Sequence, residues 1–209
     1  MRKLTAMSFV SLDGVMQGPG GPDEDRAQGF EHGGWAVPHF DQDTLDAITP
    51  LTLRGGALLL GRRTYEIFAA TWPLAEADDP VGAKLNAMPK YVASRTLGTV
   101  TWTNSTLLTG DVPEAVRELK RADDDVEIQV HGSPRLLQTL LAHDLVDEFL
   151  VFTFPVLIGS GTRLFGAGTA PGRLRLTDVT SFGGGVVACT YVRDGKLEYG
   201  AMGPETGNW

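Results

Sequence analysis

Apolar positions along this chain come in short dense runs, each closed by glycine, proline or charge. Short runs rich in branched residues predict buried strands, and apolar residues spaced three or four apart predict helix faces. The stretch 3–11, KLTAMSFVS, predicts a first strand. A long glycine- and proline-rich stretch follows, through HGGW, and a connection of that length in a compact domain is usually functional or disordered. Residues 41–53 predict a helix that Pro50 should end or kink. A buried strand at 56–60 runs into a helix at 63–71, followed by a loop through Met88. Strands are predicted at 90–94 and 106–109, then a helix from Val112 with Asp111 as its N-cap and Pro113 in its first turn. The clearest unit is strand 126–130, helix 134–143 and strand 147–156, a βαβ pattern. Two last strands flank Gly183 to Gly185 as a hairpin. Strand–helix units that close on an antiparallel hairpin imply an α/β fold with a mixed sheet and helices on its faces.

Composition narrows the function classes. The 209 residues are 42% hydrophobic and 21% charged, which fits a globular chain and neither disorder nor a coiled coil. The apolar run 149–155 is far too short for a bilayer, so no membrane span is expected. Asp13 interrupts the apolar stretch near the start, so no secretory leader is read. A lone cysteine, Cys189, allows no internal disulfide and suits a reducing compartment, the cytoplasm. A net charge of -8 and a pI near 4.9 argue against general nucleic-acid binding.

Against that acidic background, positive charge gathers at strand–helix junctions. LLLGRRTYE places Gly61, Arg62, Arg63 and Thr64 where a strand meets a helix. VHGSPRLL places Gly132 and Ser133 at a second such junction, and YVASRTL puts Ser94 and Arg95 at a strand end. Glycine admits close backbone approach, a helix N-terminus attracts anions, and arginine matches phosphate oxygens with forked donors. Three such junctions predict a ligand with several phosphates at the carboxyl ends of the strands. Neither GxGxxG after the first strand nor GxxxxGK[ST] occurs.

The succession SLDG, LLLGRRTYE, YVASRTL, VHGSPRLLQTLL and LVDEFLVFTFPVLIGSGTRLF resembles the dihydrofolate-reductase-like family. It is most similar to the branch that includes the reductase domain of bacterial riboflavin biosynthesis. The resemblance covers about residues 3–194 of a single domain, 1–209, and leaves a tail at 195–209. It implies a three-layer α/β/α sandwich around a mixed sheet, NADPH as cofactor, a small heterocyclic substrate of pterin or riboflavin-precursor type, and a homodimer. It implies that Gly61, Arg62, Arg63 and Thr64 touch the cofactor phosphates. By the same resemblance, Ser94 and Arg95 hold the adenosine 2′-phosphate end, and Gly132 and Ser133 pack on the pyrophosphate.

On the substrate side, the resemblance places Asp13 of SLDG near the nicotinamide as the candidate catalytic residue; a turn aspartate before glycine is the other reading. In WAVPHFDQD, Asp41 lies one position off the pattern of a folate-type carboxylate. His32, His39, Asp41 and Asp43 lack metal-ligand spacing, so no metal site is expected. RADDDVE reads as a solvated turn, and Cys189 as inert core. The loop 18–34 is a candidate lid, and EFLVFTFPV, apolar on both faces, suits a central strand or a subunit interface. Two readings stay open: an NADPH-dependent reductase, and a nucleotide-binding module of the same fold without reductase activity, since no clear proton donor is legible. A structural dimerisation domain would explain the strands but not the arginine junctions.

Overall fold

The computed structural model describes residues 1–167 and 169–203, so part of the predicted tail, 204–209, lies outside the described residues. In chain order the elements are β1 (Leu4–Ser11), α1 (Gln42–Leu53), β2 (Ala57–Gly61), α2 (Arg62–Thr71), α3 (Pro80–Ala87), β3 (Lys90–Ala93), β4 (Ser105–Leu108), α4 (Val112–Arg121), β5 (Ile128–His131), α5 (Pro134–Ala142), β6 (Glu148–Phe154), β7 (Leu174–Ser181) and β8 (Val187–Arg193). The eight strands form one sheet in the order β4-β3-β2-β5-β1-β6-β8-β7. All neighbours pair parallel except those of β8, which runs against both β6 and β7.

Side-chain alternation explains the layers. Leu58 and Leu60 face one side of β2, where they pack with Tyr65 of α2, Leu85 of α3 and Trp102. Ala57 and Leu59 face the other side, with Val116 of α4 and Leu137 and Leu140 of α5. A strand covered on both faces needs an unbroken apolar run, which is why LLL reads as it does. Met7, Phe152 and Phe154 extend the first side under Ile48 and Leu51 of α1. The result is the three-layer α/β/α sandwich, with α1, α2 and α3 on one face and α4 and α5 on the other.

Three expectations change. The stretch predicted as loop through Met88 contains α3, which Asp79 caps by accepting from Val81 N, with Pro80 at its first position. Helix α1 runs through Pro50 to Leu53 instead of ending there. RADDDVE is not wholly solvated: Asp124 pairs with Arg2 at 2.7 Å, and Glu127 is buried in an ion cluster. Strand β6 takes the central one of its two predicted positions, between β1 and β8. Its end is tied to α1 through the hairpin: Asp41 caps α1 with Oδ1 on Thr44 N and accepts Gly184 N on Oδ2. Asp41 is therefore a structural cap. Cys189 lies on β8 and is half-buried.

Candidate functional site

Because β1 to β5 are mutually parallel in the sheet, their C-terminal ends share one edge. A cavity of about 1240 Å³ opens along that edge. All eight junction residues line it: Gly61, Arg62, Arg63 and Thr64 after β2, Ser94 and Arg95 after β3, and Gly132 and Ser133 after β5. His131 and Arg135 line it too. Both were missed in the sequence, although each flanks the Gly132–Ser133 pair and so had a positional signal.

The helices differ at their starts. Helices α1, α3 and α4 open on Asp41, Asp79 and Asp111, each of whose carboxylates accepts a first-turn amide. Helices α2 and α5 have no side-chain cap. Their first amides and the positive ends of their dipoles are left for an external acceptor. Ser133 would be the natural cap of α5, but its backbone is left-handed at φ 60, ψ 62 and its hydroxyl is used elsewhere. Ser133 Oγ accepts from Gly61 N at 2.8 Å and donates to Thr64 Oγ1 at 2.9 Å. That pair of bonds stitches the β2–α2 junction to the β5–α5 junction. A strained backbone of this kind costs on the order of 1–3 kcal/mol and persists where surrounding contacts over-determine it.

The arginines are unequally engaged. Arg62 donates to Thr96 Oγ1 at 3.1 Å and lies 3.8 Å from Glu66. Arg63 is paired with Asp25 at 2.9 Å, which ties the glycine-rich loop to α2. Among the described residues, Arg95 and Arg135 have no ion-pair partner and no side-chain hydrogen bond. Ser94 Oγ accepts from Thr96 N and Leu97 N at 3.2 and 2.9 Å, which holds the turn that carries Arg95. The donor set fits a phosphorylated dinucleotide: two uncapped helix starts, two unpaired guanidinium groups and a small hydroxyl on one cavity.

The loop itself is packed. Gln17 Nε2 donates to Ala27 O at 3.1 Å, Gln17 Oε1 accepts from Thr162 N at 3.0 Å, and Trp35 Nε1 donates to Gln17 O at 2.7 Å. Only glycine fits at 33, where a Cβ would lie 2.5 Å from Gly21 O and Pro22 O. Glu24, on the cavity, is raised above its ordinary value by burial, against the pull of the Gly20 and Gly21 amides. Deeper in, Met7, Phe9, Phe40, Ile48, Phe68 and Trp72 form apolar walls, with Phe9 and Phe40 edge-on at 5.4 Å. Such walls suit a flat ring.

Asp13 stands apart. It is not among the residues lining the cavity. Its carboxylate accepts from Ser11 Oγ at 2.7 Å, Gly159 N at 2.9 Å and Ile158 N at 3.1 Å. The Ser11 hydroxyl first, then these amides, pull it down to about 2, so it is ionised at neutral pH. Among the described residues, no group of three or more His, Cys, Asp or Glu side chains is placed to hold a metal ion. No helix there is long and apolar enough to cross a membrane.

The RibD C-terminal domain family matches residues 2–188. The Bacillus subtilis protein YyaP is 25% identical over 193 residues, 91% of this chain and 94% of its own length. A Shewanella protein ascribed to riboflavin biosynthesis superposes with a TM-score of 0.69 at 22% identity, covering 92% of this chain and 99% of its own. The dihydrofolate reductase of Enterococcus faecalis, solved with NADP(H), superposes at 0.60 and 13% identity, covering 92% and 96%. The fold is thus of the dihydrofolate-reductase type.

Proposed function

The chain belongs to the RibD C-terminal domain family, and on that premise we propose that it is an NADPH-dependent reductase of a small planar heterocycle, pterin- or riboflavin-precursor-like. One observation carries the reading: the uncapped starts of α2 and α5 face a single cavity that Arg62, Arg95 and Arg135 also line. NADPH would supply the hydride. The protein's share is to bind and orient. Arg62, Thr64 and the amides of α2 hold phosphate, Gly132 lets backbone approach the pyrophosphate, and Ser94 with Arg95 receives the 2′-phosphate. The apolar walls hold the two rings and exclude water. Arg63 keeps the loop 18–34 closed over this site through Asp25.

Asp13, ionised and turned into the 156–163 turn, acts by positioning that turn and donates no proton itself. A binding module without reductase activity is the second reading, favoured because, among the described residues, the acids on the cavity, Glu24, Asp25 and Asp111, are not part of its apolar walls. Titration of NADPH and NADH, followed by quenching of Trp72 on the cavity wall, tests the first step. Turnover of a panel of pterins and flavin precursors, followed at the NADPH absorbance, separates the two readings. No NADPH binding at millimolar concentration removes the reductase.

A homodimer is also proposed. With β6 inside the sheet, its support comes from the edge strand β7, where Leu176 and Val179 are 46% and 57% exposed. Light scattering reads this directly. The half-buried Cys189 suits a reducing, cytoplasmic setting.

A further inference from the structure

One imidazole lines the cavity, that of His131, the last residue of β5. It packs beside Phe68, 6.2 Å away and steeply inclined, and pairs across the sheet with Met7. Its Nε2 lies 2.9 Å from Gln129 Oε1. The orientation of Gln129 follows from its other partners. Gln129 Nε2 is 2.7 Å from Leu51 O and 3.0 Å from Glu127 Oε1, and both of those atoms only accept. Glu127 is charged: burial opposes that, but the Gln129 hydrogen bond and the Arg54 and Lys3 cations outweigh it and hold the carboxyl below its ordinary value. Both amide hydrogens of Gln129 are therefore committed, and its oxygen must face His131. The proton of the neutral imidazole is then on Nε2, and Nδ1 is a bare lone pair.

Two further observations fit. Gly55 leaves room for the Gln129 amide, since a Cβ there would lie 2.6 Å from it. Burial pushes His131 down to about 4, against the smaller opposing pull of Glu127, so the ring is neutral at pH 7. Among the described residues nothing donates to Nδ1. Among the described residues, the charged groups lining the cavity, Glu24, Asp25, Asp111 and its arginines, make no hydrogen bond or ion pair with this ring.

We propose that His131 Nδ1 is a fixed hydrogen-bond acceptor for the substrate, and that the site selects an uncharged heterocycle presenting an N–H donor between Met7, Ile48 and Phe68. The relay Glu127–Gln129–His131 makes His131 a specificity-determining residue and Gln129 a positioning residue. A ring that presents a carbonyl or bare nitrogen at this point meets lone pair with lone pair. The inference rests on reading the cavity as the reductase's substrate site.

Histidine-selective 15N NMR of the whole protein tests the relay without any ligand. His131 is expected as the neutral Nε2–H form at pH 7, and Gln129→Leu is expected to release a mixture of tautomers. A proton found on Nδ1, or an imidazolium at pH 7, overturns the proposal. Pteridine-2,4-dione is then the probe, with its 1,3-dimethyl derivative as the form without N–H donors. The parent is expected to shift the Nδ1 resonance and to bind at least tenfold tighter than the methylated form, about the worth of one well-made hydrogen bond. His131→Phe is expected to shrink that ratio, as a double-mutant cycle between residue and N–H requires. No response of Nδ1 to the parent at millimolar concentration, or an equal response to both, overturns the proposal. The Trp72 titration with NADPH is separate. Its failure with the Nδ1 response intact removes the reductase reading and leaves the acceptor, and the reverse outcome removes the acceptor alone.

Discussion

The two ends of the sheet use the same residue types for opposite purposes. At the end where β1 and β6 begin, Lys3 and Arg54 lie against Glu127 and Glu148, both nearly buried. Nearby, Lys120 Nζ donates to Asp147 Oδ2 at 2.6 Å and to Leu145 O at 2.8 Å. These charges answer one another, so the end is closed. At the other end Arg95 and Arg135 find no acid among the described residues, two helices start without caps, and a cavity remains. A cation with a partner contributes to folding; a cation left without one in a cleft is available to a ligand. The chain's net charge of -8 makes the second arrangement the rarer and more telling one.

Breaking the closed end should have the largest effect. Glu148→Ala strips Lys3 of its 3.0 Å partner and Arg54 of its closest one. Because both cations are partly exposed, the loss should fall at the low end for a broken buried pair, about 3 kcal/mol, read in urea denaturation. NADPH affinity should be unchanged, and a large fall in it would mean the two ends are not independent. The same cluster sets an acid limit. Glu127 has a depressed folded value, so its contribution is present above the ordinary glutamate range and lost as pH falls through the folded value. Acid titration of wild type and Glu127→Gln should converge at low pH, and parallel curves would contradict the assignment.

At the open end, Arg95→Ala should weaken NADPH binding about tenfold, the worth of one charge-assisted contact, while changing NADH little. Stability should move by no more than about 0.5 kcal/mol, as for an unpartnered surface residue. Added salt should cost NADPH more than NADH. Equal affinity for both cofactors in wild type would remove the 2′-phosphate assignment. The smallest effect is expected from Asp13→Asn. Its amide cannot accept from both Gly159 N and Ile158 N, so the turn loosens. Turnover should fall while NADPH affinity stays within about twofold. The stability that Asp13 contributes above about pH 4, lost as pH falls toward 2, should vanish with the substitution. Full turnover in this variant would leave Asp13 a turn former only.

Local pattern along the chain was enough for the strand–helix succession, the closing hairpin and the three arginine and glycine junctions, because period and punctuation are properties of neighbouring residues. Helix α3 was not read, because its weak apolar pattern hid the capping signal of Asp79 and Pro80. What a side chain does depended on residues far away in sequence. Ser133 was legible as a junction residue, but not that its hydroxyl accepts from Gly61 N, 72 positions away. Asp13 before glycine reads as a site residue or a turn aspartate, and the amides of Ile158 and Gly159 that its carboxylate accepts lie some 145 positions away. His131 had a positional signal beside Gly132, but its hydrogen bonding depends on Leu51 and Glu127 acting through Gln129. Sequence thus named most of the donors that line the cavity, Arg135 excepted. Which of them remain free to bind was determined by packing, because a hydrogen bond or ion pair spends a polar group only when folding brings its partner within reach.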